Sequence, residues 1–255
     1  MVKMKIGAQL YSIREYTKTP FDIEESLRRI RAIGYEVVQI SGFGPCDTDR
    51  LAGWIRETGL EVCGTHVSWA SLDTPEELKK TIAVHKKLGA PNIGLGARPG
   101  DVFPNSYEGY TRFIKRANEV ARRIKDEGLT FGYHNHDFEF EKWNGCRAID
   151  RLIEECPDML FTLDVFWVQA GGANPIDYIK KLGNRIQIIH FKDYRIKDRT
   201  RQFAEIGQGN LDWDNIIGAC KEKGIPCAVV EQDGDFLVNP FESLALSRKF
   251  LLEKI

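Results

Sequence analysis

Two of the five histidines in this 255-residue chain stand two positions apart, His134 and His136, in the stretch FGYHNHDFEF, with Glu139 three residues further on. On a strand, residues two apart share a face. The pair closes an apolar run, and other apolar runs close in the same way. EVCGTHV ends near His66, LFTLDVF carries Asp164, IQIIHF carries His190 and IPCAVVEQ reaches Glu231. MKIGAQLY offers Gln9 and Tyr11, and YEVVQI offers Glu36 and Gln39. Two carboxylates and two imidazoles converging from separate strands are a donor set for a divalent cation. Mixed oxygen and nitrogen donors suit Mn²⁺, Zn²⁺, Co²⁺ or Fe²⁺ better than Ca²⁺. Taken singly, each such residue reads equally well as a hydrogen-bonded rim residue. Taken together, His134, Asp164, His190 and Glu231 would be costly to bury near one another without a partner. His85 is the exception, lying inside a helical pattern, where it reads as structural or exposed.

The elements that must position these groups follow from periodicity. Eight short runs rich in Ile and Val alternate with segments bearing helix signals. A capping-box pattern at Asp22 and Glu25 opens the first helix. Thr74, Pro75 and Glu77 open another. Tyr110, Phe113, Ile114, Ala117, Val120, Ala121 and Ile124 form one apolar stripe, with Gly128 placed to end it. Eight strand–helix units nearly exhaust the chain, so the expectation is an α/β fold, a (β/α)8 TIM barrel forming a single domain over residues 1–255. A doubly wound open sheet is the rival, but AQLYSIR stands where a G-x-G-x-x-G turn would follow the first strand. In such barrels chemistry sits at the carboxyl ends of the strands. Period 2 puts Ile186, Ile188 and His190 on one face, and likewise Cys227, Val229 and Glu231, and Val62, Gly64 and His66.

Composition removes several function classes. With 36 basic and 37 acidic residues the net charge is −1, which argues against a surface built to hold nucleic acid. No stretch approaches the roughly 18 apolar residues of a membrane span, and the first residues lack a signal-peptide core. Six scattered cysteines without a C-x-x-C pair suit reduced thiols in a cytoplasmic protein.

The segments IGAQLYSIR (6–14), GTHVS (64–68), YHNHDFE (133–139), LDVFWVQAGGANP (163–175), HFKD (190–193), IGQGNLDW (206–213) and VVEQD (229–233) carry a resemblance that spans nearly the whole chain. The chain resembles the xylose isomerase-like TIM-barrel superfamily, in which sugar phosphate isomerases and epimerases are common. The resemblance implies one divalent metal ion (Mn, Zn, Co, Fe or Mg) held by residues of strands five to eight, here His134, Asp164, His190 and Glu231. The family more often has Glu at the first of these positions. Either His134 takes its place, which the register favours, or Glu139 curls back to do so. Relatives of the endonuclease IV branch place a further histidine where Trp167 stands, so a multi-metal nuclease site is not expected.

His66 and His136 remain as acid–base candidates. Glu139 and Lys192 are further catalytic candidates, with a local Lys192–Asp193 ion pair as the bland alternative. Gln9, Tyr11, Glu36 and Trp167 are substrate-binding candidates. The segments 96–106 and 192–210 read as loops able to close over a ligand, the second with basic residues that more simply form a solvated face. Phe166, Trp167 and Trp213 could stack on a sugar or pack in the core. The implied activity is metal-dependent isomerisation or epimerisation of a small-molecule carbohydrate, a sugar, keto-sugar or cyclitol, through an enolate. A lyase or dehydratase of the inosose dehydratase or keto-glycoside-cleaving type stands almost level. A catalytically decayed sugar-binding barrel is the reading from another class. No membrane or nucleic-acid partner is implied, and a homo-oligomer is compatible with such a barrel.

Overall fold

The computed structural model describes residues 4–255. Eight parallel strands close into a barrel: β1 (Lys5–Gln9), β2 (Val37–Ile40), β3 (Glu61–Val67), β4 (Asn92–Leu95), β5 (Thr130–His134), β6 (Met159–Asp164), β7 (Ile186–Phe191) and β8 (Cys227–Val230). Each strand pairs with its sequence neighbours, and β1 pairs with β8 to close the ring. The helices α1 (Pro20–Ile33), α2 (Thr48–Thr58), α3 (Pro75–Leu88), α4 (Tyr107–Asp126), α5 (Ala148–Glu155), α6 (Val165–Ala170), α7 (Pro175–Leu182), α8 (Trp213–Lys223) and α9 (Pro240–Lys254) fill the crossovers and cover the outside. Among the described residues no helix is long and apolar enough to cross a membrane.

Local chemistry starts and stops these elements. Thr74 caps α3 by accepting the Glu77 N–H, with Pro75 first in the helix as its spacing predicts. The capping box of α1 lies three residues earlier than Asp22 and Glu25 suggested. Thr19 is the cap, and Asp22 is the residue that answers it. The stripe on α4 is buried as expected, and the chain leaves that helix through Gly128 at φ 78°.

Most apolar burial lies between strands and helices. A smaller cluster, Val37, Ile188, Cys227 and Val229 with Cys63 against it, fills the barrel itself. Two bulges correct the expected faces. Val38 pairs with Val62 but Gln39 pairs with Gly64, leaving Cys63 as the extra residue. Phe161 pairs with Ile186 but Thr162 pairs with Ile188, leaving Gln187 extra. An extra residue resets alternation. Val62 and Ile186 therefore pack outward into the larger cluster, while Cys63 and Gln187 turn to the barrel interior. There Asn92 donates to Thr130 Oγ1 and Gln187 Oε1, each at 3.0 Å. A side chain at Gly132 would put its Cβ 2.7 Å from Asn92 Oδ1, so this crossing of the barrel needs glycine.

Candidate metal and substrate site

β5, β6, β7 and β8 deliver His134, Asp164, His190 and Glu231 to one point at the carboxyl end of the barrel. One donor atom from each lies within 4.8 Å of the others, and all four residues are buried. The ends of β5 and β6 are tied together by Asn135, which accepts the Asp164 N–H at 2.9 Å and donates to the Asp164 carbonyl at 3.3 Å. Asp164 then uses Oδ1 to cap α6 through the Trp167 N–H at 3.0 Å. Its Oδ2 has no protein partner, and neither has His134 Nε2, 3.5 Å away.

The tautomers follow from what lies behind each ring. His134 donates Nδ1–H to the Gly96 carbonyl at 3.0 Å, so Nε2 turns a lone pair to the cluster. Gln9 Nε2 donates to Gln39 Oε1, and His190 Nε2–H donates to the same oxygen at 2.6 Å. His190 Nδ1 faces Glu231 Oε2 at hydrogen-bond distance, 2.9 Å, and Asp164 Oδ2 at 3.9 Å, and would turn its lone pair to a cation set among them. Outer partners of this kind are what orient metal-binding imidazoles. Lys192 enters the same space, 3.4 Å from Glu231 Oε2 and paired with Asp233. Three carboxylates, Asp164, Glu231 and Asp233, against one ammonium leave two negative charges, which a divalent cation balances. The lone pairs, the orphaned buried atoms and the charge all fit such an ion.

The remaining imidazoles flank this point. His66 on β3 has its ring centre 5.1 Å from that of His134, and His136 has its own 4.7 Å from His134. β5 ends at His134, so His136 comes back from a loop rather than by strand alternation. It stacks on Phe138 and meets Trp167 at 5.2 Å. Burial, then the neighbouring imidazoles, hold His66 well below the ordinary histidine range. Burial, then His134 and Lys192, push His136 down to about 2. Burial also lowers His134, but its contact with Asp164 and the charges of Glu231 and Asp164 outweigh this and raise it. Burial opposes the Lys192 ammonium, yet Glu231, Asp164 and Asp233 keep it charged.

Other expected positions fall as follows. Gln9 is wholly buried under the site through Gln39. Trp167 forms wall, its ring 5.1 Å from Lys192 Nζ, as is Phe203. Tyr11 lies at the rim, 39% exposed, under the Arg14 guanidinium. Glu36 is a correction. It precedes β2, so it lies at the amino end of the barrel, exposed and within 4.0 Å of Arg31, a barrel's depth from the site. Glu139 stands behind the cluster. It is fully buried, accepting the Tyr133 hydroxyl and the His136 N–H, and burial pushes its carboxyl up to about 7 despite those bonds.

Lys192 does not pair with Asp193. Asp193 instead accepts backbone N–H groups of Tyr194, Gly207, Gly209 and Leu211 and the Trp213 indole. This puts Trp213 in the core. The expected loop after His190 contains an antiparallel hairpin, Asp193–Lys197 with Thr200–Ala204. His85 is buried between Thr65 Oγ1 and the Thr81 carbonyl. Sequence reasoning named Gln39 at a strand end without a role and passed over Asn135 and Asp233, although both lie in segments it used.

The xylose isomerase-like TIM barrel model matches residues 27–251. The chain belongs to the xylose isomerase-like TIM-barrel family. It is 29% identical to an inosose dehydratase of Clostridium beijerinckii, over 91% of this chain and 89% of that protein. The fold is shared with a sugar phosphate isomerase/epimerase of Parabacteroides distasonis (TM-score 0.81, 23% identity, 98% of each chain). It is shared also with a D-allulose 3-epimerase of Methylomonas sp. (TM-score 0.75, 14% identity, covering 100% of this chain and 99% of that one).

Proposed function

We propose that this xylose isomerase-like barrel is a divalent-metal-dependent lyase that removes water from a keto-sugar or cyclitol ketone through an enolate. One observation carries the reading: His134 Nε2 and Asp164 Oδ2, buried, unpartnered and 3.5 Å apart, beside two further inward-facing donors. His134, Asp164, His190 and Glu231 would hold a divalent ion, whose Lewis acidity would acidify a C–H beside a substrate ketone. The protein's own groups handle the protons. His66 and His136 are neutral near pH 7, and His66 Nε2 and His136 Nδ1 have no partner. A neutral imidazole within reach takes the C–H proton as a general base. Now charged, it becomes the acid that returns the proton to the departing β-hydroxyl. Lys192 and Trp167 bound the space in which the ring sits, and Gln39 and Gly96 keep the ligand imidazoles in register.

The kinship with an inosose dehydratase supports the elimination outcome. The epimerases share under 25% identity and therefore speak only to the fold. Isomerisation or epimerisation is the second reading, favoured by the presence of two neutral imidazoles with free nitrogens. If one takes the proton and the other returns one to carbon, the product is an epimer or isomer.

The test is proton NMR in D₂O with a panel of inososes and ketoses, on protein supplied with Mn²⁺, Co²⁺ or Zn²⁺ and on the Asp164→Asn variant. Metal-dependent loss of the proton beside the carbonyl, with an enone or dione product, is expected in the parent. The variant should fall at least about a hundredfold, the scale of one lost electrostatic or ligand contact. Exchange without a dehydrated product would move the assignment to epimerisation. No exchange with any metal would remove the enzyme reading and leave a binding barrel.

A further inference from the structure

The interior of a closed parallel barrel is ordinarily packed by layers of bulky branched side chains. At the amino-terminal mouth of this one, opposite the proposed site, the inward residues are Val37, Cys63, Gln187 and Cys227. They leave a cavity of about 650 Å³ that opens to solvent between the first residues of the strands. Its walls are mostly apolar, formed by Ile55, Leu60, Leu88, Pro91, Ile188 and Pro226. Lys5 and Glu61 at its edge pair with each other, and the Arg56 side chain is exposed at the rim. No unpaired charge is therefore buried in the cavity. Ile188 and Val229, each two residues before a member of the four-residue cluster, separate it from that cluster.

One polar side chain is built into this apolar wall. Gln187 is the extra residue of the β7 bulge, and a bulge re-aims the side chain it carries. Its Oε1 accepts the Asn92 amide at 3.0 Å and the Thr130 hydroxyl at 2.5 Å. Those two donors fix the orientation of the amide, because a reversed amide would set N–H against N–H. Nε2 is the end left over. Among the described residues it donates to no protein group, and Gln187 lines the cavity. An apolar enclosure with one fixed hydrogen-bond donor is the usual composition of a small-molecule site, and such sites run from roughly 300 to 1,000 Å³.

We infer that this cavity is a second ligand site, for an uncharged and largely apolar small molecule whose single carbonyl oxygen accepts from Gln187 Nε2. The lining selects this class over three others. A hydroxyl-rich sugar would set its hydroxyls against apolar walls without partners. An anion would find no free buried cation, since Lys5 is held by Glu61. A pure hydrocarbon would displace water from the Gln187 amide and give it no acceptor in return. The ligand of this end therefore differs in kind from the carbohydrate proposed for the other.

The test titrates the full chain with prodan, an uncharged naphthyl ketone whose emission reports the polarity around it. Saturable binding of one equivalent, with emission moved to the blue of the probe in water, is expected in the parent. Gln187→Glu keeps an acceptor for Asn92 and Thr130 and removes the N–H donors, so it should bind the probe at least about fivefold more weakly, the scale of one hydrogen bond. The parent alone supplies a second readout should that variant not fold. Acetylnaphthalene should displace the probe at least about fivefold more strongly than ethylnaphthalene, which has the same shape without the oxygen. No saturable binding in the parent would overturn the site. So would equal affinity in a folded Gln187→Glu, or equal displacement by the ketone and the hydrocarbon. The D₂O exchange experiment reads the other end of the barrel, so the two readings fail separately.

Discussion

His134 gives one ring proton to Gly96 and His190 gives one to Gln39, and these two bonds set what the cluster can hold. Each ring is left with a single nitrogen, His134 Nε2 or His190 Nδ1, facing the carboxylates of the cluster. Glu139 works one layer back. It is buried with two donors on it, and its pKa of about 7 is well above the roughly 4.3 of an unfolded glutamate. The folded state thus binds more protons between those values. The cost of ionising Glu139 in the fold is complete above about pH 7 and vanishes as pH falls through about 4.3. Chemical denaturation of the parent and of Glu139→Gln at pH 5 and pH 8 should therefore differ. The parent should lose stability relative to the variant on going to pH 8, by an amount on the order of 2–3 kcal/mol. The pH difference is the quantity to compare, because Gln can accept only one of the two donors. An identical pH dependence in both proteins would show that Glu139 ionises freely.

At the scale of elements, the Asp193–Ala204 hairpin holds one wall of the site, and it is itself held by one carboxylate. Phe203 and Tyr194 pack on Phe166 beside Trp167, while Asp193 gathers the backbone of residues 207–211 and the Trp213 indole. Replacing Asp193 by Asn puts an amide group against donors that need an acceptor. Asp193→Asn should cost about 2–4 kcal/mol, the range for breaking a buried charged hydrogen-bond set. Amide hydrogen exchange should quicken first in residues 205–213. Exchange confined to other segments would assign the wall to different contacts.

Much of this scale was legible in the sequence. Apolar runs marked all eight strands, and their polar ends marked His66, Asp164, His190 and Glu231. Glu36 was misjudged because YEVVQI was read as one run with polar ends, whereas the strand begins only at Val37 and leaves Glu36 on its amino-terminal flank. The inward set on β3 and β7 was misjudged because a bulge adds one residue without any composition signal. Lys192 could not be matched to Asp233 because that pair spans 41 positions and depends on barrel closure.

For the whole molecule, the cluster draws on four successive strands, β5 to β8, that is, half of the closed barrel. An ion bound only to the folded state stabilises by mass action, about 2.7 kcal/mol at a hundredfold excess over its dissociation constant. For a chain of this size each kcal/mol moves the melting temperature about 2–4 °C. Scanning calorimetry with Mn²⁺ or Co²⁺ added after chelator treatment should raise the midpoint by several degrees in the parent and leave Asp164→Asn near its starting value. A shift equal in the two proteins would place the ion elsewhere.

Lys192 lies among Asp164, Glu231 and Asp233. Its ammonium is a resident counter-charge, bonded to the chain and present from the moment the barrel closes. The consequence is that folding and metal loading can be tested apart. On the metal-dependent chemistry proposed above, chelator-treated protein should keep its far-ultraviolet circular dichroism, because this ammonium already offsets part of the carboxylate charge.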